Sequence, residues 1–401
     1  MDVIGVAAFS AVIVAWWARR ASVNSDEEKP VKRVLVIGAA GAIGKSLVAQ
    51  FLRSGIDVVA ALRKTPLPES LSQIGPGKLS MQFGVDVLDR ESMASAFRGQ
   101  PERSIDAVWC LAAPLSVESA KNPNHAHNVV VGGMERLLSV MAEFDVPIIC
   151  FSDSIGSYGS AGPRDNATAR WLTENPQQDP GSDYGKQKRE CRELMKAWAA
   201  EEVDCYDDKD GKNGNNGKKE KNGTGRKRQA RWAVIPGVLH TDDSWGDGTT
   251  EYALDALKLA GTGDEKEFVC PVPLDEPLPM IMRDDLIRGL FSLTMARAKD
   301  LHEPEGGYSM AGLSFTAREL FSGIEKYQKQ NQKQKQKSFA WQDKGHNAKG
   351  PAALFARLWP NSLSAVEAER DLRFQAEVDS LDEMIDTVMK GWEDRPKKSK
   401  M

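Results

Sequence analysis

Apolar residues in this chain gather into short runs rich in β-branched side chains, separated by longer stretches of helical pattern. Val34-Leu-Val-Ile37 is the first run, and Asp57 to Leu62, Leu79 to Val85, Ile105 to Leu111, Val146 to Phe151 and Trp232 to Ile235 follow it. A run without polar alternation marks a strand buried on both faces, as in a parallel sheet. A helix is expected from about Ile43 to Arg53, and helical patterns fill most of the other gaps. Strands alternating with helices predict an α/β fold of the Rossmann type, a doubly wound parallel sheet, over residues 32–235. After Pro236 the alternation weakens, which predicts a smaller C-terminal domain over 236–395, with Met280 to Met295 returning to the sheet.

Two low-complexity stretches interrupt the pattern. Residues 207–229 are rich in Lys, Gly and Asn and carry no strongly apolar side chain, so they cannot bury enough surface to fold and read as a surface insertion. Residues 326–337, rich in Gln and Lys, read as a helix end followed by a loop. At the other end, residues 1–20 include an almost wholly apolar run, Val3 to Trp17, followed at once by Arg19 and Arg20; a polar linker, 21–31, comes next. A secretory leader carries its positive charge before the apolar run, and here only Asp2 stands there. The run is short against the ~20 residues of a full span. Trp16 and Trp17 suit a membrane interface, and the arginines would stay cytosolic. The expectation is therefore a membrane tether through residues 3–18 with the remainder on the cytosolic side. A mitochondrial or other organellar targeting segment is the rival reading, and secretion is disfavoured.

Composition narrows the class. The 401 residues are 41% hydrophobic and 27% charged with a formal net charge of −4, ordinary for a globular chain and without a global basic field to recruit nucleic acid. The five cysteines, Cys110, Cys150, Cys191, Cys205 and Cys270, are odd in number and show no CxxC spacing. That argues against a disulfide framework and against a metal site, and for buried apolar filler in a reducing compartment.

Chemistry enters with Gly38-Ala-Ala-Gly41-Ala-Ile-Gly44, set between the first expected strand and helix. In that context Gly38 makes the tight turn, Gly41 admits a pyrophosphate to the backbone, and Gly44 lets helix and strand pack closely, while the helix N-terminus offers free N–H groups to the phosphates. A dinucleotide cofactor follows, NAD or NADP. The choice is open, because the place of the acidic residue that binds ribose hydroxyls is taken by Ala61, and Arg63 and Lys64 stand where a 2′-phosphate would sit. Solvated loop charges are the plain alternative for those two. Asp86 and Val87 would meet the adenine.

Tyr184-Gly-Lys-Gln-Lys188 is the second informative segment. On a helix, positions i and i+4 share a face, so Tyr184 and Lys188 would point into one site. A free phenol titrates near ~10 and is a poor base at neutral pH. A neighbouring ammonium, with the cationic nicotinamide, favours the phenolate, which then removes a hydroxyl proton as hydride leaves the same carbon. Ser154, at the end of the fifth strand, would hold the substrate oxygen, with Ser152 as a substitute; Tyr158 reads as packing. Ser154, Tyr184 and Lys188 behind a glycine loop form a more specific set than any of them alone.

At these residues the chain resembles the extended short-chain dehydrogenases, the NAD-dependent epimerase/dehydratase family, and within them the epimerase-like L-threonine 3-dehydrogenase branch. The segments Gly246-Asp-Gly-Thr-Thr-Glu-Tyr-Ala253, Leu278-Pro-Met-Ile-Met-Arg-Asp-Asp285, Met310-Ala-Gly-Leu-Ser-Phe-Thr316 and Leu358-Trp359-Pro360 carry this likeness. It implies that Ser154 and Tyr184 are catalytic and that Ser116, Thr249, Thr250 and Trp359 contact the substrate. It also implies oxidation of the β-hydroxyl of L-threonine or a relative, and pairing of two copies. Without the resemblance, Trp359 reads as a core aromatic before a proline turn. Expected cofactor contacts are completed by Ala42, Ile43, Leu111, Ala112, Ala113, Lys188 and Pro236. The chain departs from the family pattern at Ala61, Glu251, Arg357, Leu358 and Val130, the last in the place of an asparagine that supports the active-site helix. A sugar-nucleotide epimerase or an NADP-dependent ketone reductase is the alternative within the same family, and a scaffold that keeps the dinucleotide for structure is the alternative outside enzymes.

Overall fold

A computed structural model describes residues 29–99, 105–175, 178–201, 227–242, 246, 248–262, 267–303, 306–331, 339–342 and 349–393. The first half runs β1 (Arg33–Ile37), α1 (Ala42–Arg53), β2 (Asp57–Leu62), β3 (Leu79–Phe83), α2 (Arg90–Arg98), β4 (Ala107–Cys110), α3 (Ser116–Lys121), α4 (Pro123–Glu143), β5 (Ile148–Ser154), α5 (Ala169–Glu174), α6 (Asp183–Ala200) and β6 (Gln229–Ile235). The second half adds β7 (Gly237–Leu239), α7 (Tyr252–Thr262), β8 (Phe268–Val269), β9 (Leu278–Met282), α8 (Arg283–Met295), β10 (Gly307–Ser309), β11 (Leu313–Phe315), α9 (Ala317–Gln330), β12 (Trp341–Gln342), α10 (Pro351–Leu358), α11 (Val366–Leu372) and α12 (Leu381–Glu393).

Seven strands form one parallel sheet in the order β10-β6-β5-β4-β1-β2-β3. The central strands β1, β2 and β4 are largely apolar because both faces are covered, whereas the edge strand β3 carries Ser80 and Gln82 and is only partly buried. Within β1, Leu35 and Ile37 enter one core and Val34 and Val36 the other, as the two-residue period of a strand requires. The chain order reverses between β1 and β4, and ligands of such sheets sit outside the carboxyl ends of the strands at that point.

Several boundaries move from the sequence expectation. β3 stops at Phe83, where Gly84 takes φ +77°. β5 continues to Ser154 because Ser154 still pairs with Ile235 of β6, so the serine closes the strand. Met280 to Met295 reaches the sheet differently from the expectation. Its first residues lie in β9, which joins β7 and β11 in a separate three-stranded sheet; its remainder is α8, which packs in the core around Phe51. The strand that completes the large sheet is β10, too short to stand out in the sequence.

The expected membrane anchoring requires correction. Among the described residues no helix is long and apolar enough to cross a membrane. The apolar run Val3 to Trp17 that suggested it lies outside the described residues, as do 207–226 of the basic insertion and 332–337 of the Gln/Lys run. Cys110, Cys150, Cys191 and Cys270 are free and buried, and burial pushes the Cys110 thiol up to about 11, as fits apolar filler.

Candidate active site

A cleft of about 960 Å³ opens along the carboxyl ends of β1, β4 and β5. Its floor at one end is the glycine turn. Gly38 has φ +86°, and a Cβ there would stand 3.0 Å from the backbone N of Ala112, so the turn after β1 nests against the end of β4. A Cβ at Gly44 would lie 2.2 Å from the Gly38 carbonyl oxygen. The first turn of α1 therefore sits directly on the loop. α1 starts at Gly41 with no side-chain cap and no acidic residue in its first turn, leaving its N–H groups and the positive end of its dipole to an anion. This cradle, open only because three side chains are missing, fits a dinucleotide pyrophosphate.

The middle of the cleft holds the expected catalytic set. Ser154 is 7% exposed, and its Oγ accepts the Gly156 N–H at 3.1 Å. Lys188, 2% exposed, donates from Nζ to the Ser152 carbonyl at 2.6 Å, and Nζ lies 4.6 Å from the centre of the Phe151 ring and 5.5 Å from that of Tyr184. Tyr184 and Lys188 both line the cleft, as one face of α6 requires. A Cβ at Gly156 would be 3.1 Å from the Tyr184 ring and 3.5 Å from the Trp359 indole nitrogen. A Cβ there would crowd the phenol, so the glycine leaves the ring room to close in beside the indole.

At the far end Ser116 and Thr249 meet, their hydroxyl oxygens 3.1 Å apart, and the Thr249 N–H donates to Ser116 Oγ at 3.3 Å. Thr250 and Trp359 complete that wall. Among the expected cofactor contacts, Gly41, Ala42, Ile43, Leu111, Ala113 and Pro236 line the cleft, and Ala112 touches its turn. Arg63, Asp86 and Val87 lie outside that lining. Val87 packs against Gly133 of α4, Asp86 is tied to its own turn through Ser92, and Arg63 is exposed just past β2.

Several contributors escaped the sequence reading. Asp153 is buried behind Ser154, ion-paired to buried Arg192; it also accepts the Ser154 N–H at 2.8 Å and the Ser157 hydroxyl at 2.6 Å. Arg192 follows Lys188 by one more helical turn, so the spacing Tyr184, Lys188, Arg192 was the available signal. His240, buried at the cleft wall, accepts the Asp242 N–H on Nδ1 at 3.2 Å, and Asp242 pairs with Arg283 at 2.6 Å. Burial pushes the Asp242 carboxyl up, but Arg283 outweighs it and holds the group below the usual carboxylate range. No local pattern marks His240, which depends on the separate sheet of β7, β9 and β11. Val130 packs its side chain in the core, and its carbonyl accepts from Cys191 Sγ of α6 at 3.5 Å.

Sheet order, glycine cradle and cleft together define a dinucleotide-binding α/β oxidoreductase. Residues 34–206 match the NAD dependent epimerase/dehydratase family, and NAD is the cofactor that this match supports. It is 26% identical over 304 residues to an uncharacterized epimerase/dehydratase of Staphylococcus aureus strain USA300, covering 74% of this chain and 80% of that protein. Among solved structures it is similar in fold to a GalE-like L-threonine dehydrogenase from Cupriavidus necator, at TM-score 0.69 and 23% identity over 89% of this chain and 99% of that one. L-threonine 3-dehydrogenase from Trypanosoma brucei matches at TM-score 0.67 and 21% identity, over 91% and 97% of the two chains. MoeE5, solved with UDP-glucuronic acid and NAD, matches at 0.64 and 19%, over 90% and 98%.

Proposed function

We propose that this enzyme oxidises the β-hydroxyl carbon of L-threonine, or of a similar small hydroxy compound, to a ketone; threonine would give 2-amino-3-oxobutyrate. The observation that carries the reading is the meeting of Ser154, Tyr184 and Lys188 in one cleft with the glycine cradle. The segments shared with the threonine dehydrogenase branch and the likeness in fold to the Cupriavidus and Trypanosoma enzymes support the choice of substrate.

In this reading residues 32–235 hold the cofactor and 236–395 shape the substrate end. The bound nicotinamide supplies the hydride acceptor. Ser154 Oγ already accepts from Gly156, which leaves its O–H to donate to the substrate oxygen. As the phenolate, Tyr184 takes the hydroxyl proton and becomes the neutral phenol, and the Lys188 ammonium beside its ring stabilises the negative charge it holds before that transfer. Ser116, Thr249 and Thr250 offer hydroxyls to the substrate's polar end. A homodimer belongs to the same reading and is checked by light scattering.

Purified full-length chain incubated with L-threonine and NAD should raise the absorbance of reduced cofactor, and the same assay with NADP fixes the preference. No reduction with either would remove this substrate. Ala61 and exposed Arg63 favour an NADP-dependent ketone reductase as the second reading.

A further inference from the structure

Arg164 lies on the loop between β5 and α5, outside the cleft lining, and its side chain reaches the turn after α10. Its Nη1 donates to the Arg357 carbonyl at 2.8 Å and to the Trp359 carbonyl; its Nη2 donates to Asn361 Oδ1 at 2.8 Å and to Glu276 Oε2 at 2.9 Å. Its own carbonyl accepts the N–H groups of Asn361 at 2.5 Å and Ser362 at 3.3 Å. The neighbouring residues continue the seam: Ala167 pairs with Leu363 as an isolated parallel bridge, and the Asn166 N–H donates to Ser362 Oγ at 2.9 Å. The guanidinium fork thus holds two of the carbonyls that the end of α10 leaves without helical partners.

What this turn presents to the cleft is Trp359. The indole is 3% exposed, stacks on Phe355 at 6.0 Å, and has no hydrogen-bond partner at Nε1. A buried donor left unpaired is costly, so a site that keeps one calls for an acceptor to arrive. The nitrogen faces the gap beside Tyr184, 3.5 Å from where a Gly156 Cβ would be. Leu358, one residue earlier, packs where a Cβ of Gly181 would stand at 2.9 Å, just before α6 begins, so the same turn also abuts the start of the catalytic helix.

We propose that Arg164 is a positioning residue: by fastening the 357–361 turn to the loop after β5, it aims the Trp359 indole N–H, as a donor, at a carboxylate oxygen of the substrate beside Tyr184. This rests on the functional reading above in treating the substrate as a small hydroxy acid. The hydroxyls of Ser116, Thr249 and Thr250 line the same cleft and suit the polar end of such a substrate, which leaves the reacting hydroxyl to Ser154 and Tyr184.

The test uses the NAD-loaded full chain labelled with nitrogen-15 at tryptophan, in which the Trp359 indole signal is identified by its loss in Trp359→Phe. In Arg164→Met, with Arg164→Lys as the milder variant should the first fold poorly, the Trp359 signal should shift or broaden before any substrate is added. An unmoved signal overturns the clamp, whatever the substrate proves to be. With L-threonine added, the wild-type signal should move downfield and the Arg164→Met signal should not. Turnover of L-threonine without movement of the signal would overturn the donor role, whereas absence of both would sink the functional reading and leave the ligand-free comparison to decide the clamp. Kinetically, Arg164→Met should raise KM far more than it lowers kcat, with kcat/KM falling on the order of 100-fold while the dissociation constant for NAD stays within about twofold. An equal loss of kcat with KM unchanged would mark a role in folding alone.

Discussion

Tyr184 and Ala61 each turn on one side chain. Tyr184→Phe removes the proton acceptor and keeps the ring that packs against Gly156. It should cut turnover by about 10²–10⁴-fold while titration with NAD gives an unchanged dissociation constant; a protein using the dinucleotide only for structure would show no catalytic loss. Ala61, buried at the end of β2, leaves the ribose hydroxyls without a carboxylate. Ala61→Asp should tighten NAD by roughly tenfold through a charge-assisted hydrogen bond and weaken NADP by repelling its 2′-phosphate. Calorimetric titration with both cofactors reads the change, and equal affinities in the variant would show that β2 does not meet the ribose.

At the scale of elements, the site depends on two contacts that join a helix to a strand end. α1 sits so close to the glycine turn that Gly44→Ala would place a methyl 2.2 Å from the Gly38 oxygen. The helix has to shift, at a stability cost of about 1–3 kcal/mol, and NAD affinity should fall with it; thermal unfolding with and without NAD separates the two effects. α6 is tied to the end of β5 by Arg192 and Asp153, both buried. Arg192→Met leaves the Asp153 carboxylate uncompensated, which should cost about 3–5 kcal/mol and disorder Ser154, whose N–H that carboxylate accepts. Denaturant unfolding monitored alongside activity measures both. The helix spacing made Tyr184 and Lys188 legible in the sequence. Asp153 was not, because a carboxylate beside a serine reads the same whether it faces solvent or a buried guanidinium.

On the scale of the molecule, the β10 edge of the large sheet is closed by a knot of charge. Glu303 receives Arg170 and Arg370, while Asp371 receives Arg370, the Tyr308 hydroxyl at 2.6 Å and the exposed His302. Burial pushes the Asp371 carboxyl up, but the hydrogen bonds from Arg370, Tyr308 and His302 outweigh it and hold the group well below the usual carboxylate range. A carboxylate with a depressed folded pKa contributes stability that is complete above its unfolded value, near ~3.9, and is lost as pH falls through the folded one. The melting temperature should therefore drop below about pH 4. Asp371→Asn should melt earlier than wild type at pH 7, with the gap narrowing toward pH 3; a gap independent of pH would mean that the charge of Asp371 does not stabilise the edge.

The sequence alone determined the alternating parallel architecture, the glycine cradle and the helical pairing of Tyr184 with Lys188, because each follows from spacings of a few residues: the strand period, the turn and the helical repeat. It did not determine the edge strand β10, the contact of Ser116 with Thr249, His240 in the cleft wall or Arg164 on the turn that carries Trp359. Those joins link residues more than a hundred positions apart or depend on strands of three residues, where periodicity carries no signal. Only the packing of the second, three-stranded sheet and the C-terminal turn against the first half of the chain brings them to one place.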